Sequence, residues 1–311
     1  MTAQLRVGVI GVGYLGRFHA LIYSHLAGCQ LVGVADVDVE RARTVAAEAG
    51  CAAFADPEAL LGRVDAVSVV VPTTAHLEVA RPYLEQGVHM LLEKPVAADL
   101  PAGQEIVRLA EAAGVVLQIG HLERFNAGVM ALAERIDAPR YIEAQRMGGF
   151  VERATDVDVV SDLMIHDIDI VLALVDADLA DVRAVGTPVL TPHVDIASAR
   201  LEFANGTVAN VVASRVSERK IRHIRVFQPN CYMSLDFTDQ TLDIAVPEQR
   251  PDAPRPEIRR TRVALEQVKP LDREIEAFVA CARTGAQPLV NGRVGLKALE
   301  VALLVHERMA G

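Results

Sequence analysis

Three side chains in this sequence have the types and spacing to move a proton and to steady a growing negative charge. Lys94 lies in "LLEKP", at the carboxyl end of an apolar run. Asp162 and His166 lie four apart in "DLMIHDIDIVLALV", a stretch otherwise suited to a buried helix. Buried aspartate and histidine need partners or water, and on a helix Asp162, His166 and Asp169 share one face. An imidazole takes a proton near neutral pH, and a carboxylate one turn earlier orients it. An ammonium stabilises charge developing on an alcohol oxygen. Taken alone, the same residues also describe a satisfied polar seam and a strand-end lysine reaching solvent. Asp167 is expected to face elsewhere and Asp169 to support the seam from behind.

A second constellation gives these groups something to act beside. "GVIGVGYLGRF" sets Gly11, Gly13 and Gly16 in GxGxxG spacing, after a β-branched strand and at the start of a helix, with Tyr14 and Leu15 inside the turn. Asp36 ends the next strand, 20 residues after Gly16. That context is what a dinucleotide fingerprint requires. The glycines let backbone approach a pyrophosphate, whose charge meets the helix N-terminus. Asp36 is expected to accept from ribose hydroxyls and to repel a 2′-phosphate. Val37 follows it, with no arginine alongside, so NAD is expected rather than NADP. Thr73, Thr74 and His76 in "VPTTAHLE" follow a buried strand. The threonines are placed to touch the cofactor or to cap the next helix. Glu93 and Lys94 are expected at the carboxyl end of another strand, beside the nicotinamide, and with Tyr14, Leu15 and His76 they complete the expected cofactor contacts. Pro95 biases Lys94 toward extended geometry.

The elements that must position these residues fall into two grammars. From 1 to 120, apolar strands alternate with helices, including one from about Leu100 to Ala113, which predicts a parallel sheet covered by helices. This is an expected Rossmann domain. From 121 to 311 the pattern changes. "HLERFNAGVMALAERI" reads as helix, "RYIEAQRMG" as strand, and residues 182 to 246 as β-rich segments joined by turns such as "ANGT". This predicts an α/β domain with a large open, mostly antiparallel sheet. "QRPDAPRPEIRR" reads as an exposed loop, and the chain ends in two helical segments counted with the second domain. Composition narrows the partners. The 311 residues are 51% hydrophobic with a net charge of -10, and no basic arm argues for nucleic acid or an anionic membrane. Cysteines 29, 51, 231 and 281 form no CxxC pair, so reduced thiols and no metal are expected. With no leader-like segment and no run of 18 uncharged apolar residues, a cytoplasmic location is expected.

With these motifs in place, the sequence resembles the glucose-fructose oxidoreductase/inositol dehydrogenase/rhizopine catabolism family over essentially its whole length. The marks are "GVGYLG", "EKP" at Glu93 to Pro95, "GHLERFN" at Gly120 to Asn126 and "DLMIHDID" at Asp162 to Asp169. The resemblance implies that Lys94, Asp162 and His166 line the reacting carbon. It also implies a sheet that often serves as an oligomer surface, hence a homodimer or homotetramer. Within the family, "GHLERFN", "AQRMGGF" and "DVDVVSDLMIHDIDI" resemble bacterial nucleotide-sugar dehydrogenases that oxidise the 3-hydroxyl of UDP-N-acetylglucosamine and pass the ketone to an aminotransferase. That likeness places Arg124, Asn126, Arg146 and Arg153 toward the substrate. Arg215, Arg219, Lys220 and Arg222 form a further basic cluster, suited to a diphosphate. It is also readable as a solvated edge. The rival expectations are an inositol, polyol or free-sugar dehydrogenase, and a non-catalytic NAD(H)-binding sensor or scaffold.

Overall fold

The apolar β-branched runs of the first 120 residues are strands, and the reason is burial on both faces. A computed structural model describes residues 4–151, 157–251 and 255–310. It forms β1 (Leu5–Ile10), α1 (Tyr14–His25), β2 (Cys29–Ala35), α2 (Val39–Ala49), β3 (Ala52–Phe54), β4 (Ala66–Val69), α3 (His76–Glu85), β5 (His89–Glu93), α4 (Leu100–Ala113) and β6 (Leu117–Gly120). The strands pair in parallel in the order β3-β2-β1-β4-β5-β6. This is the doubly wound dinucleotide-binding order. Local signals set the helix ends. The Asp38 and Asp99 side chains accept from the backbone N–H groups of Arg41 and Ala102, and Gly50 and Gly114 close α2 and α4 in the left-handed region. The Lys94–Pro95 peptide bond is cis.

The second sheet follows a period of two. Its elements are α5 (Ala127–Ala133), β7 (Tyr141–Met147), α6 (Ile165–Leu174), β8 (Leu179–Thr187), β9 (Ile196–Phe203), β10 (Val208–Ser214), β11 (Ile221–Gln228), β12 (Cys231–Asp236), β13 (Thr241–Glu248) and β14 (Glu257–Val263). The order is β14-β13-β12-β11-β7-β10-β9-β8, antiparallel except for the parallel β7–β10 pair. Along β7, Ile142, Ala144 and Arg146 are buried, while Tyr141, Glu143 and Gln145 on the other face are only half-buried. On that open face Tyr141, Phe227 and Tyr232 stack in sequence, with ring centroids 5.6 and 4.9 Å apart.

Three expectations change. "HLERFNAGVMALAERI" is one tight turn, Leu122–Phe125, followed by the short α5, because Asn126 caps a new helix by accepting from the Gly128 N–H. "EIRR", expected in a loop, pairs with β13 as part of β14. The third concerns α7 (Pro270–Thr284) and α8 (Gly292–Ala310). Two compact units comprise Met1–Leu122 with Lys269–Leu299, and Glu123–Val268 with Glu300–Gly311. The expected division at 120 and 121 therefore misplaces α7. Its Ile275, Phe278, Val279 and Ala282 are buried in the same core as Val7, Val9 and Tyr23. An apolar stripe on a helix does not reveal which sheet it will cover.

Among the described residues the four cysteines are free, no cluster of metal-ligating side chains occurs, and no helix is long and apolar enough to cross a membrane.

Candidate active site

The dinucleotide turn in the first unit is built by close approach. Gly11 has φ +81°, and a Cβ there would lie 2.5 Å from the Val70 carbonyl oxygen. A Cβ on Gly16 would lie 1.9 Å from the Gly11 oxygen, whereas at Gly13, the residue preceding α1, nothing lies within 4 Å. Two glycines thus tighten the turn and the third keeps open the space above a helix N-terminus, as a pyrophosphate needs. Tyr14 is exposed, its ring edge-on to Phe18 at 5.3 Å, and Leu15 is half-buried. Asp36 is buried at the end of β2. It accepts from the Val12 N–H at 2.8 Å and the Asp38 N–H at 2.9 Å. The carboxylate is therefore held beside the turn before any ligand arrives. NAD fits this donor set.

The third dimension adds a neighbour to Asp36. No arginine adjoins it in sequence, yet Arg41, one turn into α2, brings a guanidinium nitrogen 3.5 Å from its Oδ2 and another 3.0 Å from Asp38. Thr73 and Thr74 lie in a single turn, Thr73–Ala75, ahead of α3. The cap positions there are Pro72 and Ala75, with no side-chain cap bond, so the threonines are not helix caps. They line a cavity of about 370 Å³ with Glu78, Arg81, Ala97 and Asp99. His76 is buried, with Nδ1 3.2 Å from the Val96 oxygen and Nε2 3.1 Å from the Val71 oxygen. Burial lowers its pKa, against the opposing pull of those carbonyls. His76 is thus a strut between the turn after β4 and the loop after β5. That loop carries Lys94, which is half-buried, next to the buried Glu93.

In the second unit, the "HDID" stretch departs from a uniform helix. Val160–Met164 winds as a π-helix and continues into α6. Such insertions concentrate at functional sites. Asp158 starts it, accepting from the N–H groups of Val160 and Ser161 and lying 3.1 Å from His306 Nε2. Asp162 and His166 are half-buried; Asp167 and Asp169 are buried. Asp167 does face away from that pair, but into a specific partner. Arg146 Nε and Nη2 donate to its two oxygens at 3.0 and 2.9 Å, and Arg146 Nη1 donates to Glu123 at 3.0 Å. Burial works against the Arg146 cation; the charges of Asp167 and Glu123 outweigh it and raise its pKa. Arg124 lies 3.5 Å from Asp169, and Asn126 caps α5.

A cavity of about 320 Å³ opens at the end of this sheet, lined by Arg146, Asp162, Ser214, Arg215, Lys220, Arg222 and glycines 148 and 149. Arg146 and Arg222 are cross-strand neighbours on β7 and β11. The basic cluster divides. Arg215 is buried on Asp195 at 2.8 Å and on the Val157 carbonyl at 2.6 Å, a structural clasp. Lys220 is exposed and Arg222 half-buried on the cavity wall, whereas Arg219 is exposed and outside that lining. Arg153 lies outside the described residues. His19 and Arg41 are not among the residues expected from sequence. The signal for His19 was a lone histidine on the apolar stripe of α1; Arg41 left none, since its relation to Asp36 depends on a turn.

Residues 5–121 match the model of the GFO/IDH/MocA oxidoreductase family, NAD-binding Rossmann fold, and residues 130–228 match the GFO/IDH/MocA C-terminal domain. The chain is 42% identical over 304 residues, 97% of this chain and 96% of the other, to UDP-N-acetylglucosamine 3-dehydrogenase of Acidithiobacillus ferrooxidans. A solved structure of that enzyme superposes with a TM-score of 0.92 at 41% identity, covering 99% of this chain and 98% of that one. A scyllo-inositol 2-dehydrogenase (NAD(+)) of Bacillus subtilis is 30% identical over 236 residues, 70% of this chain and 69% of that protein.

Proposed function

The chain belongs to the GFO/IDH/MocA family of NAD-dependent oxidoreductases, and from that premise we propose that it oxidises the 3-hydroxyl of UDP-N-acetylglucosamine, or of a closely related nucleotide sugar, to a ketone. One observation carries the substrate class. The second unit's cavity presents Lys220 and Arg222 on a wall that also holds Asp162, so cationic groups suited to a diphosphate lie beside a residue of the reacting constellation. The similarity to UDP-N-acetylglucosamine 3-dehydrogenase supports the same substrate. An inositol or free sugar would leave that basic wall without a ligand charge.

The Gly11–Gly16 turn and Asp36 would hold NAD, which would supply the hydride acceptor. The protein's part is proton and charge control. Lys94 holds its ammonium toward the substrate oxygen and steadies the charge that develops as the carbon is oxidised. His166 takes the hydroxyl proton, directly or through a relay, and Asp162 orients the imidazole. Arg146, already clasped by Asp167 and Glu123, shapes the cavity floor rather than meeting the diphosphate as a free cation. The division of labour into a dinucleotide domain and a substrate domain follows from these roles. An aminotransferase is the class of enzyme that would consume the ketone. The open face bearing Tyr141, Phe227 and Tyr232 supports a homodimer or homotetramer, which light scattering after size exclusion measures.

The test is reduced-nicotinamide absorbance with NAD and a panel of UDP-N-acetylglucosamine, free N-acetylglucosamine and myo-inositol. The UDP-sugar should be the best substrate, and Lys220→Ala with Arg222→Ala should raise its KM. Equal efficiency on the free sugar would defeat the substrate reading; no reduction with any of them would favour the sensor.

A further inference from the structure

Beneath the strand end that carries Lys94, the first unit holds a buried polar string. Tyr23 Oη lies 2.8 Å from Ser68 Oγ, and Ser68 Oγ lies 3.2 Å from His19 Nδ1. His19 Nε2 lies 3.4 Å from Glu93 Oε1, and Glu93 Oε2 accepts from the Lys94 backbone N–H at 3.3 Å. Exposures are 1% for Tyr23, 0% for Ser68 and His19, and 6% for Glu93. α1, β4 and β5 each contribute. The Glu93 carboxylate is also sterically seated: opposite it in β6, a Cβ on Gly120 would lie 2.8 to 2.9 Å from its carboxyl atoms.

The chemistry of the partners gives the string a direction. His19 Nε2 faces Glu93 Oε1 as an ion-pair contact rather than an aligned hydrogen bond, and an acceptor-only carboxylate suits an N–H at Nε2. With an N–H at Nε2, Nδ1 accepts from the Ser68 hydroxyl, and the Tyr23 hydroxyl donates to Ser68. Burial raises the Tyr23 pKa and keeps the phenol protonated as the first donor, with the hydroxyl of Ser68 pulling the other way. Such a string is costly to bury, and apolar packing of the same shape would be no less stable. Its terminus is informative, because it ends on the peptide N–H of the residue whose ammonium does the chemistry.

We propose that His19 is a positioning residue for the reaction, holding the Glu93 carboxylate so that it fixes the backbone of Lys94. This rests on the assignment of Lys94 to the reacting alcohol. A lysine set off its place by about 1 Å loses up to about 100-fold in rate, because charge stabilisation depends on where the donor already stands.

The experiment uses the full-length protein with NAD and UDP-N-acetylglucosamine, unlabelled or deuterated at carbon 3. His19→Ala, His19→Gln, Glu93→Gln and Lys94→Ala are compared by circular dichroism, NAD titration, kcat, KM and the isotope effect. His19→Ala and Glu93→Gln should lower kcat by roughly 10- to 100-fold with NAD affinity unchanged and a larger isotope effect. His19→Gln, whose amide N–H reaches the Nε2 position, should recover most of the loss. Should His19→Ala fail to fold, His19→Gln against Glu93→Gln carries the same contrast. Inactive Lys94→Ala beside folded His19→Ala or Glu93→Gln of wild-type kcat overturns the inference alone. So does a loss shared equally by His19→Ala and His19→Gln together with weakened NAD binding, which marks mere packing. Active Lys94→Ala overturns the assignment of Lys94 and the inference with it.

Discussion

Two buried carboxylates serve these units in different ways. In the first, Glu93 is met by an imidazole and a line of hydroxyls, and its remaining oxygen holds one peptide N–H. In the second, Asp167 is met by the guanidinium of Arg146, with Glu123 on the third nitrogen. The guanidinium arrangement couples α6 to β7 by strong charge-assisted bonds, and breaking it strands charge in the interior. The imidazole arrangement is the weaker contact, at 3.4 Å. It suits a place where the position of a neighbouring group matters more than cohesion. A difference follows in what each should do when cut: one loses rate, the other loses stability.

The largest expected effect sharpens that contrast from the reacting side. Lys94→Ala and His166→Ala should each lower kcat by about 10²- to 10⁴-fold while thermal unfolding and NAD titration stay near wild type. Near-wild-type turnover in both would dissolve the site. Arg146→Ala should behave in the opposite manner. It leaves Asp167 and Glu123 buried without their cation, a loss of about 3 to 5 kcal/mol, read by denaturant unfolding. A stable Arg146→Ala protein with a raised KM would instead make Arg146 a ligand-binding cation.

Asp36 and Arg41 offer an intermediate case, an ion pair with one buried and one exposed partner. Asp36→Ala should weaken NAD use by roughly 10-fold or more and improve relative use of NADP, because the acid leaves and Arg41 remains. Arg41→Ala in that background should remove the NADP gain. Steady-state rates with both cofactors decide it.

The second unit also has an imidazole–carboxylate pair, His306 with Asp158, closer to solvent than His19 with Glu93. Burial opposes ionisation of Asp158, but His306 and the N–H groups of Ser161 and Val160 outweigh it and lower its pKa to about 2 from 3.8. A depressed folded-state value adds stability that is complete above the unfolded pKa. That stability is lost as pH falls from about 4 toward 2, and it amounts to at most about 2 kcal/mol. Asp158→Asn should flatten the pH dependence of unfolding in that window; an unchanged profile would show that the pair contributes nothing.

By itself the sequence determined the alternation of apolar strands and helices, the glycine turn with Asp36, and the presence of Lys94, Asp162 and His166 in motifs whose residue types suit proton transfer. Those features are local: φ at Gly11, caps at Asp38 and Asp99, a period of two along β7. Only tertiary structure decided which polar residues are spent on other polar residues. Arg146 and Arg215 look like ligand cations in sequence, yet each is clasped by an acid on another element, 21 and 20 positions away. Arg41 reaches Asp36 because a helix turn folds back over a strand end, and α7 joins the first core across more than 140 residues of intervening chain. Periodicity reports which face of an element is buried. It carries no information about the partner that buries it, and for a charged side chain the partner decides whether the charge is available to a ligand.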